Sequence, residues 1–140
     1  MKLQILRSGQ TEGIEGYTAI RAEVNALSLD IVADNQCDVI LAPDIVDSFS
    51  LELIDTLIVQ VLKKLRMGGK LVIGGTDIRL FAKAINNGVL ELGQASRIVS
   101  SVHSMISADT MVELLRQKGL RIDSFHFDGL HFEINVQRVK

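Results

Sequence analysis

The sequence predicts an α/β domain whose mostly parallel β-sheet ends in an antiparallel hairpin. Three observations predict it. Between Cys37 and Ile73 an apolar run, a helical pattern and a second apolar run follow one another as one βαβ unit, which implies parallel strands joined by a right-handed crossover. Further helical patterns follow without a strand between them. The carboxyl-terminal stretch LRIDSFHFDGLHFEINVQRV then alternates strictly on either side of Asp128 and Gly129, the strongest short-range hairpin signal. At 140 residues, with no internal repeat or proline-rich linker, residues 1–140 form a single domain.

Each element has its own signal. Lys2 to Leu6 reads as a short strand, and Tyr17 to Val24 as a second, weaker one. Between them the stretch LRSGQTEGIEGYTAIR carries Gly9, Gly13 and Gly16. A strand entering a glycine-rich turn begins many nucleotide sites, but this spacing is not GxGxxG, and a solvent loop is the other reading. Val39 to Ala42 is apolar on both faces, as a buried parallel strand should be, and Pro43 ends it. Ser50 is placed to cap a helix in which Leu51, Ile54, Ile58, Val61, Leu62 and Leu65 recur at helical spacing. Lys63, Lys64 and Arg66 suit its carboxyl end, and Gly68 and Gly69 stop it. Leu71 to Ile73 is the second buried strand, leaving through Gly74 and Gly75. Asp77 caps a short helix over IRLFAKAINN, ELGQASRIVSSV is another, and Ser107 caps ADTMVELLRQK, which Gly119 terminates.

Composition excludes several functions. A charged fraction of 23% with 47% apolar residues excludes disorder, and a net charge of −2 offers no basic surface for general nucleic-acid binding. The single cysteine, Cys37, leaves no disulfide or cysteine metal site within one chain and fits a reducing compartment. No apolar stretch reaches membrane-spanning length, and the amino terminus lacks the pattern of a signal peptide, so the expectation is a soluble cytoplasmic protein. Mean hydropathy is +0.27 with few aromatics, an aliphatic surplus that points to a homo-oligomer or a complex with another protein.

The order of elements, with NALSLDIVADNQCDVILAPDIVDSF, LKKLRMGGKLVIGG and the final hairpin, resembles the class I S-adenosylmethionine-dependent methyltransferases. The amino-terminal MKLQILRSGQTEGIEGY is similar to short members that begin MKLNLGCG. The resemblance implies a Rossmann-like, three-layer fold and S-adenosylmethionine as cofactor. It places Ser8, Gly9, Asn25 and Ala26 around that cofactor and Asp44, beside the strand end, or the Gly74 to Asp77 loop facing an acceptor.

The chain departs from the family pattern where the cofactor should lie. Arg7 stands near the first glycine of the loop, where close backbone approach is needed. The residue matching the acid that accepts from the ribose hydroxyls is Arg21, which has no acceptor, with Glu23 two residues on as a substitute if the strand end shifts. Asn25 stands for the acid that accepts from the adenine amino group and keeps an oxygen for it. Three strands and two helices before Asp38 need roughly 60 residues, by the usual size of a strand–helix–strand unit. Only 37 precede it, so at least one early helix is absent or reduced to a turn.

Other candidates have structural readings beside the chemical ones. Asp44 and Asp47 lie where α/β sites gather; Asp47 reads as an electrostatic cap, and Asp44 stays open between base and surface. His126 and His131 flank the hairpin turn, facing each other across it or lying on a solvated face, and no metal set is spaced around them. His103 stands alone among serines, and Cys37 reads as a small core residue. The favoured reading is a methyltransferase-like domain with a degenerate site and a lost cofactor, serving as a non-catalytic scaffold. An active small methyltransferase is the alternative, and conversion of the site by Arg7 and Arg21 to bind an anion is a third.

Overall fold

The structure is a computed structural model that describes residues 1–7, 10 and 13–140. Six strands form one sheet: β1 (Lys2–Leu6), β2 (Thr18–Arg21), β3 (Cys37–Ala42), β4 (Leu65–Thr76), β5 (Leu120–Asp128) and β6 (His131–Arg138). Their spatial order is β2-β1-β3-β4-β6-β5. The first four run parallel, and β6 pairs antiparallel with both β4 and β5. The helices are α1 (Leu51–Lys64), α2 (Ile78–Asn86), α3 (Leu92–Ser101) and α4 (Ala108–Gln117), with a 3₁₀ turn at Ile45–Ser48.

Register separates the two faces of the sheet, because ladder partners share a face. Leu3, Ile40, Leu71, Val136 and Ile122 form one row, and Ala42, Ile73 and Ile134 another on the same face. All but Ile122 of these are buried, packed with Ile54, Leu57, Ile58 and Val61 of α1 and Met111 and Leu115 of α4. The opposite row of Leu41, Val72 and Asn135 is half-exposed. The loop after β1 reaches this second face, where Ile14 N–H donates to Gln4 Oε1. The expected truncation therefore falls on one layer. Among the described residues no helix joins β1 to β2 or β2 to β3, and two strands rather than three precede β3.

Three local expectations are corrected. Helix α1 ends at Lys64 rather than at Gly68, because Leu65 pairs with Cys37 and is fully buried as the first residue of β4. Gly68, at φ +80°, then turns within the stretch where the ladder jumps from Leu65 to Lys70. Leu51, placed by spacing on the apolar face of α1, is exposed, and Leu57 is buried in the core. The hairpin loop is Gly129–Leu130 rather than Asp128–Gly129: Asp128 pairs with His131, and glycine takes the first loop position at φ +61°.

Asp77 and Ser107 cap as expected, with one addition, whereas Ser50 holds the N-cap position of α1 with no side-chain cap hydrogen bond. Ser107 Oγ accepts from Thr110 N–H at 3.2 Å. Asp77 Oδ1 accepts from Leu80 N–H at 2.9 Å, which caps α2, and its Oδ2 accepts from Ala108 N–H at 2.9 Å. One buried carboxylate thus serves the amino ends of two helices.

Candidate functional site

The carboxyl ends of β1, β3 and β4 gather the polar side chains that a site on this sheet would use. After Ala42 ends β3, Pro43 and the 3₁₀ turn carry Asp44 and Asp47 back toward the end of β4. Gly74 and Gly75 let them come close. A Cβ on Gly75 would meet Val46 Cβ at 2.8 Å and Asp47 Oδ1 at 3.2 Å, and one on Gly74 would meet Pro43 O at 2.5 Å. The glycine pair is there for close approach.

Asp47 is 3% exposed. Its Oδ1 accepts from Thr76 N–H at 2.7 Å and its Oδ2 from Thr76 Oγ1 at 3.1 Å. Burial holds its pKa above the usual carboxylate value, against the lowering effect of these bonds and of His131. Its backbone carbonyl accepts from His103 N–H at 2.8 Å, fixing the segment after α3 over the strand ends. The structural reading of Asp47 holds, as a tie between β4 and the 3₁₀ turn.

Asp44 meets His131, a pairing the sequence did not show. His131 Nε2 lies 2.6 Å from Asp44 Oδ1 and 3.7 Å from Asp47 Oδ2. The short contact lies off the ring N–H axis, so it acts as an ion pair rather than an aligned hydrogen bond, and among the described residues Nε2 has no hydrogen-bond partner. The two groups shift each other. His131 holds the Asp44 carboxyl below its ordinary value, with Arg7 adding to the effect, and Asp44 holds the imidazole above its own. His131, half-buried, thus meets the loop after β3 rather than His126, whereas His126 lies on the solvated face. His131 stands across from Asp128 and Thr76, and His126 stands across from Glu133. The signal that could have found it is positional. The turn makes His131 the first residue of β6, and pairing with the end of β4 brings it to the edge where the loop after β3 emerges.

Of the residues expected around a cofactor, Asn25 and Ala26 are among those described. Ser8 and Gly9 lie outside the described residues. Arg7, Val24, Asp47, Ser48, Ser101 and His103 line a cavity of about 200 Å³, below the roughly 300–1,000 Å³ of small-molecule pockets. Asn25 and Ala26 line another, of about 330 Å³, with Leu27, Phe49 and Leu53 against α1. Asn25, at φ +54°, accepts through Oδ1 from Ser50 N–H at 2.7 Å and so holds the start of α1. Arg21 ends β2 exposed, its Nη2 donating to Gln10 O at 2.8 Å, and does not line the cavity of Arg7. Cys37 is fully buried and burial raises its thiol pKa, as for a core residue. Among the described residues no group of three or more His, Cys, Asp or Glu side chains is placed to hold a metal ion. No helix of the structure is long and apolar enough to cross a membrane.

Solved structures with this arrangement of strands decide the fold. A SAM-dependent methyltransferase from Archaeoglobus fulgidus superimposes with a TM-score of 0.63 at 12% identity, over 98% of this chain and 86% of that one. The 1,6-didemethyltoxoflavin-N1-methyltransferase of Burkholderia thailandensis, solved with bound S-adenosylhomocysteine, gives 0.61 at 10% identity, over 99% and 72%. The fold is that of the class I S-adenosylmethionine-dependent methyltransferases. An O-methyltransferase family protein from Burkholderia thailandensis gives 0.60 at 13% identity, and there this methyltransferase fold spans only 36% of the longer chain. No protein-family model and no curated protein sequence matches the chain.

Proposed function

We propose that this chain is a methyltransferase-fold protein that has lost S-adenosylmethionine and serves as a non-catalytic scaffold, associating with itself or with another protein. The observation that carries the reading is Arg21. At the end of β2, where ribose hydroxyls need an acceptor, the side chain offers only donors, and the position is a cation in place of an anion. The engaged Asn25 oxygen and the small cavity beside Arg7 support it. Buried, reduced Cys37 fits a cytoplasmic setting.

The test is thermal-shift analysis and isothermal titration with S-adenosylmethionine and S-adenosylhomocysteine. A ligand at a hundred times its dissociation constant stabilises a native state by about 2.7 kcal/mol, a plain rise in melting temperature. The expected result is no rise with either compound. Micromolar binding of either overturns the reading.

Asp44 and His131 favour a second reading, an active small methyltransferase with an unidentified acceptor. Above its folded pKa the imidazole beside this carboxylate is neutral and can take a proton from a hydroxyl or an amine, and methyl transfer otherwise relies largely on positioning. The same titration separates the two readings.

A further inference from the structure

Helices α2 and α3, inserted between β4 and α4, form a hairpin with an apolar groove along it. Two adjoining depressions of about 360 and 560 Å³ make up the groove, and Phe81 and Val99 belong to both. Phe81 and Ala95 are its buried floor, whereas Ile78, Leu92 and Val99 are 47%, 74% and 55% exposed. Val89, in the turn between the helices, is 79% exposed. Large aliphatic side chains left this open in one place mark an interaction surface.

We propose that this groove is a homodimer interface, covered by the same groove of a second copy related by a two-fold axis. This deepens the self-association reading above and rests on it. Charge permits it: apart from His103 the lining carries no ionisable side chain, so two copies meet without opposing like charges. Shape permits it too. Exposed Val89 lies in the turn at one end of the hairpin, and the depression beside Ile78, Val102 and Met105 lies at the other, so a two-fold axis sets each turn against the other copy's depression, as a self-complementary contact requires. The area is also sufficient. Ile78, Val89, Leu92 and Val99 leave on the order of 400 Å² of apolar side chain in water, close to the apolar share of a standard interface of roughly 800 Å² a side.

Sedimentation velocity of the full chain across micromolar to submillimolar concentrations tests the proposal. Wild type should sediment as a dimer. Val99→Asp and Leu92→Asp change exposed positions, so both should keep the wild-type circular dichroism and melting temperature. Each should weaken dimerisation at least tenfold, about 1.4 kcal/mol. Phe125→Asp, on β5 and in the lining of neither depression, should leave the dimer unchanged. A wild-type monomer throughout, dimers undisturbed by both groove variants, or a dimer broken by the Phe125 variant overturns the proposal. So does pelleting of wild type with phosphatidylglycerol vesicles that Val99→Asp abolishes, since the groove would then belong to a membrane. A monomer that also ignores S-adenosylmethionine sinks only the dimer, and a dimer that binds it sinks only the non-catalytic reading.

Discussion

Asp44 Oδ1 stands 2.6 Å from His131 Nε2, which couples the loop after β3 to the first residue of the last strand. The coupling makes stability depend on pH. The folded imidazole has a pKa raised above 6.5, so its contribution is complete below that value and disappears as pH rises through the folded one. Asp44 is lowered below 3.8, so its contribution is present above that value and disappears as pH falls through the folded one. Buried Asp47, raised above 3.8, acts in the opposite sense to Asp44, because acid relieves its charge. The His131 contribution should therefore be complete up to about pH 6.5 and decline as pH rises above it. Urea melts from pH 5 to 9 check this, and His131→Gln should flatten the alkaline decline; a wild-type curve as flat as the variant's refutes it.

Asp47 accepts both the backbone and the hydroxyl of Thr76 inside the protein. Asp47→Ala leaves both donors without a partner and should cost about 2–4 kcal/mol in urea unfolding. Asp47→Asn keeps one carbonyl oxygen and removes the buried charge, so it should cost less than half as much. Equal losses for the two variants would show that these bonds contribute little.

Asp77 joins the amino ends of α2 and α4. Asp77→Ala removes a cap and orphans a second buried N–H, for an expected loss of about 2–3 kcal/mol. Hydrogen exchange supplies the finer check. Protection of Leu80 and Ala108 amides should fall together, and a change at Leu80 alone would mean that the carboxylate caps only α2.

Two glycines should respond with opposite sign. Gly74→Ala places a Cβ against the carbonyl oxygens of Pro43 and Phe132, fixed backbone atoms, and should lower stability by several kcal/mol or prevent folding. Gly93, in α3, has open space around it and no positive φ, so Gly93→Ala should raise stability by about 0.4–1 kcal/mol. Melting temperatures of the two variants decide it. A destabilised Gly93 variant would contradict the open surroundings.

Most of the fold was legible because its signals are local. The apolar runs at Val39 to Ala42 and Leu71 to Ile73, the caps at Asp77 and Ser107, and the alternation around Gly129 all act within a few residues. The end of α1 was not legible, because Leu65 leaves the helix to pair with Cys37, a partner that only tertiary structure supplies. The site was less legible for the same reason. Asp44 could be singled out from its place after β3, but His131 becomes its neighbour only through the pairing of β6 with β4. Asn25 could be matched by type, yet nothing local shows that its side chain holds Ser50.

The placement of β6 between β4 and β5 has a consequence for how the chain is made. On a ribosome β5 emerges before β6, and it finds no place beside β4 until the strand that separates them has been made. Phe132, Ile134 and Val136, all buried, complete the core only then. A premature stop after the hairpin turn would therefore remove an interior strand and leave two exposed edges, a product that quality control can recognise and degrade.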